Sequence, residues 1–304
     1  MTIIYIFFIM CFFHHDYSYM IESVLKICKP AEIRNYLRDE MNKNHVYLTY
    51  PRVKKILHEN VPLIDIYGDN TQPLNVEHIF PQYLFKNDPQ KMMMRSDLHH
   101  LYLCTCKLNT YRQNYKYVES SCASKFDNIR ILDMKGNVID NEKDIFTKRG
   151  YLMISNKRQN IFIPSVNSRG KIARALSYFA IKYDYMEMLE EIIDLRTMLE
   201  WNLKDPVDDD EFLKNIIAYK YQKNLNPFVL HPDLMMYCFA DKVPIDETLT
   251  GKKRYSSIDP LNAIEHLLKE ISILEMKNLQ KDRIITKFEK LVKRENIGVK
   301  KNRK

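Results

Sequence analysis

The sequence predicts an α+β fold, a small antiparallel sheet packed among several helices, from three observations. Short apolar, β-branched runs bounded by turn residues fall between residues 61 and 163. From Ser168 onward apolar residues instead recur every three or four positions. The strand-like runs come first and the helical ones after, the order expected of an α+β chain.

The elements follow in sequence. Residues 3–13 form an apolar run of signal-peptide length. It has no Lys or Arg before Lys26 and no evident small-residue cleavage site, and as a helix it is too short to span a bilayer. A helix is predicted over residues 30–43, where Ile33, Tyr36, Leu37 and Met41 share a face. Residues 61–67 read as a strand, Gly68, Asp69 and Asn70 as a turn, and residues 98–105 as a second strand, after which Asn109 opens a helix. Residues 129–139, punctuated by Gly136 and Asn137, read as a hairpin, and residues 151–163 as a further strand. Ile172, Ala175, Leu176, Phe179, Ala180 and Tyr183 mark the buried face of a long helix, and residues 186–201 a second. Asp205, Pro206 and Asp208 have the arrangement of an N-cap, a first-turn proline and a first-turn acid, opening a third helix that ends near Tyr221. Residues 264–291 carry amphipathic periodicity. The organisation expected is a leader and helix over 1–44, a main domain over 45–240 and a helical, basic extension over 241–304.

Composition narrows the function. A chain of 304 residues, 45% of them hydrophobic, can bury a full core. Only 6 are glycine, and neither phosphate-loop spacing is present, which argues against nucleoside-triphosphate and dinucleotide chemistry. No G-x-S-x-G elbow or H-E-x-x-H pair occurs, which argues against a lipase-type hydrolase and a zincin protease. The formal net charge of +8 equals the charge carried by residues 277–304 alone, eleven Lys or Arg against three acids. Such a tail fits contact with a polyanion, and Lys300, Lys301 and Arg303 also fit a short signal read by a nuclear import factor. Six scattered cysteines are sparse for a disulfide framework, so an intracellular compartment is expected over secretion.

The chemistry concentrates between residues 75 and 114. Glu77 and His78 are followed by Asp97, His99 and His100, then by Asn109, Arg112 and Asn114. A neutral imidazole can deprotonate water, and carboxylate and amide oxygens can hold a hard cation against a phosphate. Successive strand residues face opposite sides, so Glu77 and His78 need an irregular turn to share a site, and Asn75 and Pro81 bracket the pair.

The order Glu-His-Ile-Phe-Pro, then Asp97-Leu-His-His-Leu, then Asn109-x-x-Arg-x-Asn114 resembles the endonuclease I family, nucleases built on the ββα-metal, or His-Me, finger. The likeness extends through the Arg169-Gly-Lys-Ile-Ala-Arg174 segment, Trp201-Asn, Asp205-Pro-Val-Asp and the stretch from Tyr221 to Phe228, covering about residues 45–235. It implies His78 as general base, Glu77 and Asn109 as ligands of Mg²⁺ or another divalent cation, and little sequence preference on DNA, with RNA a second candidate substrate. It also implies 5′-phosphate and 3′-hydroxyl product ends. Arg95, between the base and the second strand, is assigned to the scissile phosphate by the same likeness, and it is here that the match is poorest. Asp97, His99, Arg112 and Asn114 are expected to support the site rather than to react. The runner-up function is a nucleic-acid binder that keeps the fold without the activity. A zinc site from His100, Cys104 and Cys106 lacks the usual spacing.

Overall fold

A computed structural model describes residues 29–61, 65–67, 73–119, 129–132, 138–139, 151–156, 159–244 and 249. All belong to one compact unit, Lys26–Ser257. The apolar leader and the predicted C-terminal helices lie outside the described residues.

Helix α1, Pro30–Lys43, begins on a proline whose missing N–H would be unpaired in a first turn anyway, and it buries Ile33, Leu37 and Met41. Helix α2, Tyr50–Glu59, was not anticipated; Pro51 sits in its first turn, and Val53, Ile56 and Leu57 are buried at helical spacing. Strand β1, Leu74–His78, runs to a 3₁₀ turn over Gln82–Phe85 and the short helix α3, Lys91–Arg95. A second 3₁₀ turn, Leu98–His100, leads into strand β2, Leu101–Thr105, and helix α4, Cys106–Arg112, follows at once. The helix thus opens three residues before Asn109. β1 and β2 form an antiparallel ribbon, with Leu74 opposite Thr105 and His78 opposite Leu101. Residues 61–67 supply only a parallel bridge, Asp65 to Leu103, within their described part.

A five-stranded sheet follows, built from β3 (Lys116–Tyr117), β4 (Ile129–Leu132), β5 (Val138–Ile139), β6 (Tyr151–Asn156) and β7 (Gln159–Ile163), in the order β3-β7-β6-β4-β5. The hairpin expected at 129–139 forms, and the single strand expected at 151–163 is two antiparallel ones. β3 joins the sheet parallel to β7, the one parallel pairing among the described strands.

The remaining helices are α5 (Arg169–Lys182), α6 (Leu189–Ile192), α7 (Leu195–Lys204), α8 (Asp209–Gln222), α9 (Pro227–Leu230) and α10 (Leu234–Phe239). The helix expected over 186–201 is broken because Asp194 caps a new one, its side chain accepting from the Thr197 N–H. The cap of α8 is Asp208 rather than Asp205, since Asp205 is occupied elsewhere, accepting from the Gly170 N–H at 2.8 Å.

Two features fix the ribbon. Its inner face, Leu74, Val76, Leu101 and Leu103, packs with Val53, Ile56 and Leu57 of α2, each fully buried aliphatic side chain worth roughly 1.5–3 kcal/mol. The turn before β2 is tied to α5, which is buried on all sides. Asp97 accepts from Lys182 Nζ at 2.9 Å, Tyr178 at 2.9 Å, Tyr183 at 2.8 Å and Gln222 at 2.8 Å. Burial alone would raise the Asp97 pKa, but the Lys182 ammonium and nearby histidines hold it well below the usual carboxylate range.

At the other end of α5, Arg174 grips Glu211 through two bonds of 2.8 and 2.5 Å, and also bonds Asn202 and the Asp205 carbonyl. Gly170 permits this closure, because a Cβ there would lie 1.9 Å from the Asp205 carbonyl oxygen.

Candidate active site

Beside the end of the ribbon lies an open cleft of about 480 Å³. Glu77, His78, Asn109, Arg112 and Asn114 line it, so five of the eight sequence-predicted residues come together. Arg95, Asp97 and His99 do not line it.

The expected break between Glu77 and His78 is absent: strand pairing continues through both, Glu77 opposite Tyr102 and His78 opposite Leu101. Two-stranded ribbons twist strongly, and the cleft borders the ribbon's end, so residues from both faces reach it. The chain leaves the strand only at Ile79, whose N–H still donates to the His100 carbonyl.

His78 is held at both ring nitrogens. Nε2 lies 3.0 Å from the Arg95 carbonyl oxygen, which can only accept, so Nε2 carries the proton. Nδ1 is then the acceptor, and it receives the Gln82 side-chain N–H at 3.2 Å. The ring is stacked on Tyr50 at 5.7 Å and meets His100 edge-on at 5.5 Å. Burial, with His100 adding to it, lowers the His78 pKa to about 3, below the ordinary 6.5 expected from sequence. The imidazole is therefore neutral throughout the neutral range, with the Nδ1 lone pair unprotonated.

Glu77 is 3% exposed. Its Oε1 accepts from Tyr67 at 3.0 Å and pairs with Arg112 Nη1 at 3.2 Å. Tyr67 is itself hydrogen-bonded to Tyr117, over whose ring the Arg112 guanidinium lies at 4.7 Å. Burial raises the Glu77 pKa, and Arg112 and the Tyr67 hydroxyl oppose the rise. Arg112 also donates to the carbonyls of Ile79 and Gln113, at 3.1 and 2.8 Å, and so joins the strand end to the end of α4. Gln113 leaves that helix at φ 50°, a left-handed turn that carries the chain on to Asn114 at the cleft.

Asn109 reaches across from α4 and donates its amide N–H to the Val76 carbonyl at 3.1 Å. The amide nitrogen is committed, so its oxygen is the atom available to a cation. One carboxylate and one amide oxygen in the same cleft suit a hard, largely hydrated divalent ion. Among the described residues no three His, Cys, Asp or Glu side chains converge, as a zinc site would require. His100, Cys104 and Cys106 fall on a turn, a strand and a helix.

Of the residues away from the cleft, Arg95 touches its walls. Arg95 contributes its carbonyl to His78 and lays its guanidinium 4.3 Å over the Tyr50 ring. His99 lies 3.1 Å by Nε2 from the Asn224 carbonyl and packs on Tyr178. Three residues that sequence reasoning passed over contribute here: Tyr50, Tyr67 and Gln82. Gln82 lies four residues beyond His78, across Pro81, a local signal that could have found it. The tyrosines meet Glu77 and His78 only through tertiary packing and left none.

The sequence matches the endonuclease I family over residues 18–233. It is 27% identical to an extracellular ribonuclease of Bacillus subtilis (strain 168) over 224 residues, 67% of this chain and 66% of the relative's own length. It is 26% identical to an extracellular ribonuclease of Bacillus amyloliquefaciens over 212 residues, 64% of this chain and 61% of that protein. The chain thus spans slightly less than two thirds of each relative's length. Both relatives are named extracellular, which overturns the intracellular expectation. That expectation leaned on the scatter and sparseness of the cysteines; of the free thiols described, Cys106 is half-buried, while Cys104 and Cys238 are buried and burial pushes both pKa values up. Inert thiols of this kind do not report the redox compartment. Among the described residues no helix is long and apolar enough to cross a membrane. The resemblance read from the Glu-His, Asp-x-His and Asn-x-x-Arg-x-Asn motifs is confirmed over more than half of the chain's length, and the chain belongs to the endonuclease I family.

Proposed function

We propose that this protein is an exported, divalent-metal-dependent endonuclease of the ββα-metal type, hydrolysing phosphodiester bonds of DNA and RNA with little sequence preference. The observation that carries the reading is His78: its Nε2–H is pinned to the Arg95 carbonyl while Nδ1 is left as the acceptor, in a cleft shared with Glu77 and Asn109. The strand-strand-helix order of β1, β2 and α4 supports it, as does the naming of two relatives as ribonucleases.

In this reading Nδ1 takes a proton from water as the water oxygen attacks phosphorus. The bond from phosphorus to the 3′ oxygen breaks, the departing oxygen takes a proton from solvent water and His78 returns its own to solvent, leaving a 5′-phosphate and a 3′-hydroxyl. The Arg95 carbonyl keeps the reactive tautomer in place and stabilises the imidazolium that forms. Glu77 and Asn109 would hold Mg²⁺, which when bound neutralises charge developing on the phosphate. Arg112 and Tyr67 orient the Glu77 carboxylate.

Purified protein incubated with plasmid and with RNA should cut in Mg²⁺ and stop in excess chelator. His78→Ala should cut roughly 10² to 10⁴ times more slowly with its Mg²⁺ requirement unchanged, since it deletes the base and no ligand. Full activity in chelator, or an unimpaired variant, contradicts the proposal.

A further inference from the structure

The side chain bonded to the reactive nitrogen of His78 belongs to Gln82. We infer that Gln82 is the positioning residue for the attacking water, holding the place on His78 Nδ1 until water takes it and then accepting that water's second proton in a hydrogen bond. The inference rests on the reading of His78 as the general base.

The hydrogen-bond pattern determines which way the amide points. Nε2 of His78 is a donor to the Arg95 carbonyl, so Nδ1 is an acceptor and must face the Gln82 NH₂ group, at 3.2 Å. The Gln82 carbonyl oxygen is then the other end of the same planar amide, placing an acceptor beside the base lone pair. The backbone beneath is anchored while the side chain is free to turn. Phe80 and Phe85 are both buried, one on either side, and stack around Phe179 at 4.2 and 5.3 Å. Pro81 fixes the entry to the 3₁₀ turn, and the Gln82 residue itself is exposed at the cleft.

A water that replaces the NH₂ group on Nδ1 has two protons. One goes to His78, and the other needs an acceptor if an oxygen lone pair is to be aimed at phosphorus. A rotation of the Gln82 amide brings its oxygen to that proton, and among the described residues Gln82 is the side chain that donates to Nδ1. The proton balance is that of the hydrolysis itself: the first proton moves to Nδ1, and the second stays on the oxygen that joins phosphorus. Gln82 gains and loses none.

The test is a double-mutant cycle with single-turnover cleavage of a labelled oligonucleotide at saturating Mg²⁺. Gln82→Ala and the similarly sized Gln82→Met should each lower the rate about three- to tenfold, the value of one hydrogen bond, with KM and thermal midpoint unchanged. In a His78→Ala background the same substitutions should change nothing, because the water they orient has lost its base. An equal loss in both backgrounds, or no loss in the parent, overturns the role of Gln82 while leaving the nuclease reading standing. A His78→Ala variant that is itself unimpaired overturns the reading of His78 as the general base, on which the inference rests.

Discussion

At the residue scale the proposed site is two metal donors and a base held by different means. Glu77 is fixed by an ion pair and a tyrosine hydroxyl, Asn109 by its own amide on the Val76 carbonyl, and His78 by the Arg95 backbone. Glu77→Ala or Asn109→Ala should therefore raise the Mg²⁺ concentration giving half-maximal cleavage without removing the base, because each deletes one oxygen donor. A metal titration of cleavage rate reads this directly, and unchanged curves for both variants would remove them as ligands. Much of this was legible in the sequence, since Glu77, His78, Asn109, Arg112 and Asn114 sit in motifs with fixed spacing. Two things were not. One is the contact of the Arg95 carbonyl with the His78 ring, a backbone contact that the identity of residue 95 does not encode. The His78 pKa was taken as ordinary, because sequence does not show that the ring would be buried beside His100.

At the element scale α5 is held to the turn before β2 and to α8 by charged groups with almost no exposure. The Arg174–Glu211 pair is buried on both sides, 0% and 1% exposed, so its desolvation cost is met only while both partners are present. Glu211→Ala should destabilise the protein by about 3–5 kcal/mol, whereas replacing the pair together by apolar residues of similar volume should cost far less. Denaturant unfolding of the two variants measures the difference, and equal losses would show that the bonds to Asn202 and Asp205 dominate instead. Helix α5 itself was readable from its apolar spacing. Its polar residues were not readable as clamps, because Arg174, Lys182 and Asp97 find partners 37, 85 and 81 residues away. Local rules misplaced the start of α8 for the same reason: Asp205 looked like a cap, and the Gly170 backbone had claimed it.

At the scale of the whole molecule, the folded unit Lys26–Ser257 carries every proposed catalytic residue, and residues 277–304 carry charge equal to the entire formal net charge. Deleting 277–304 should weaken binding to nucleic acid and flatten its salt dependence, the slope on duplex DNA falling by about 0.9 for each phosphate that the tail no longer neutralises. Cleavage of saturating substrate should persist, and an unchanged salt slope would show that the tail does not touch the substrate. The α+β class followed from where strand-like and helical runs fall along the chain. The two relatives are named ribonucleases, and RNA can be broken in two ways: by water, or by its own 2′-hydroxyl. The proposed role of His78 admits only the first. The most direct test is therefore to identify the ends left on RNA cut by the intact protein in Mg²⁺. Attack by water predicts 5′-phosphate and 3′-hydroxyl ends; 2′,3′-cyclic phosphate with a 5′-hydroxyl would contradict the account at its centre.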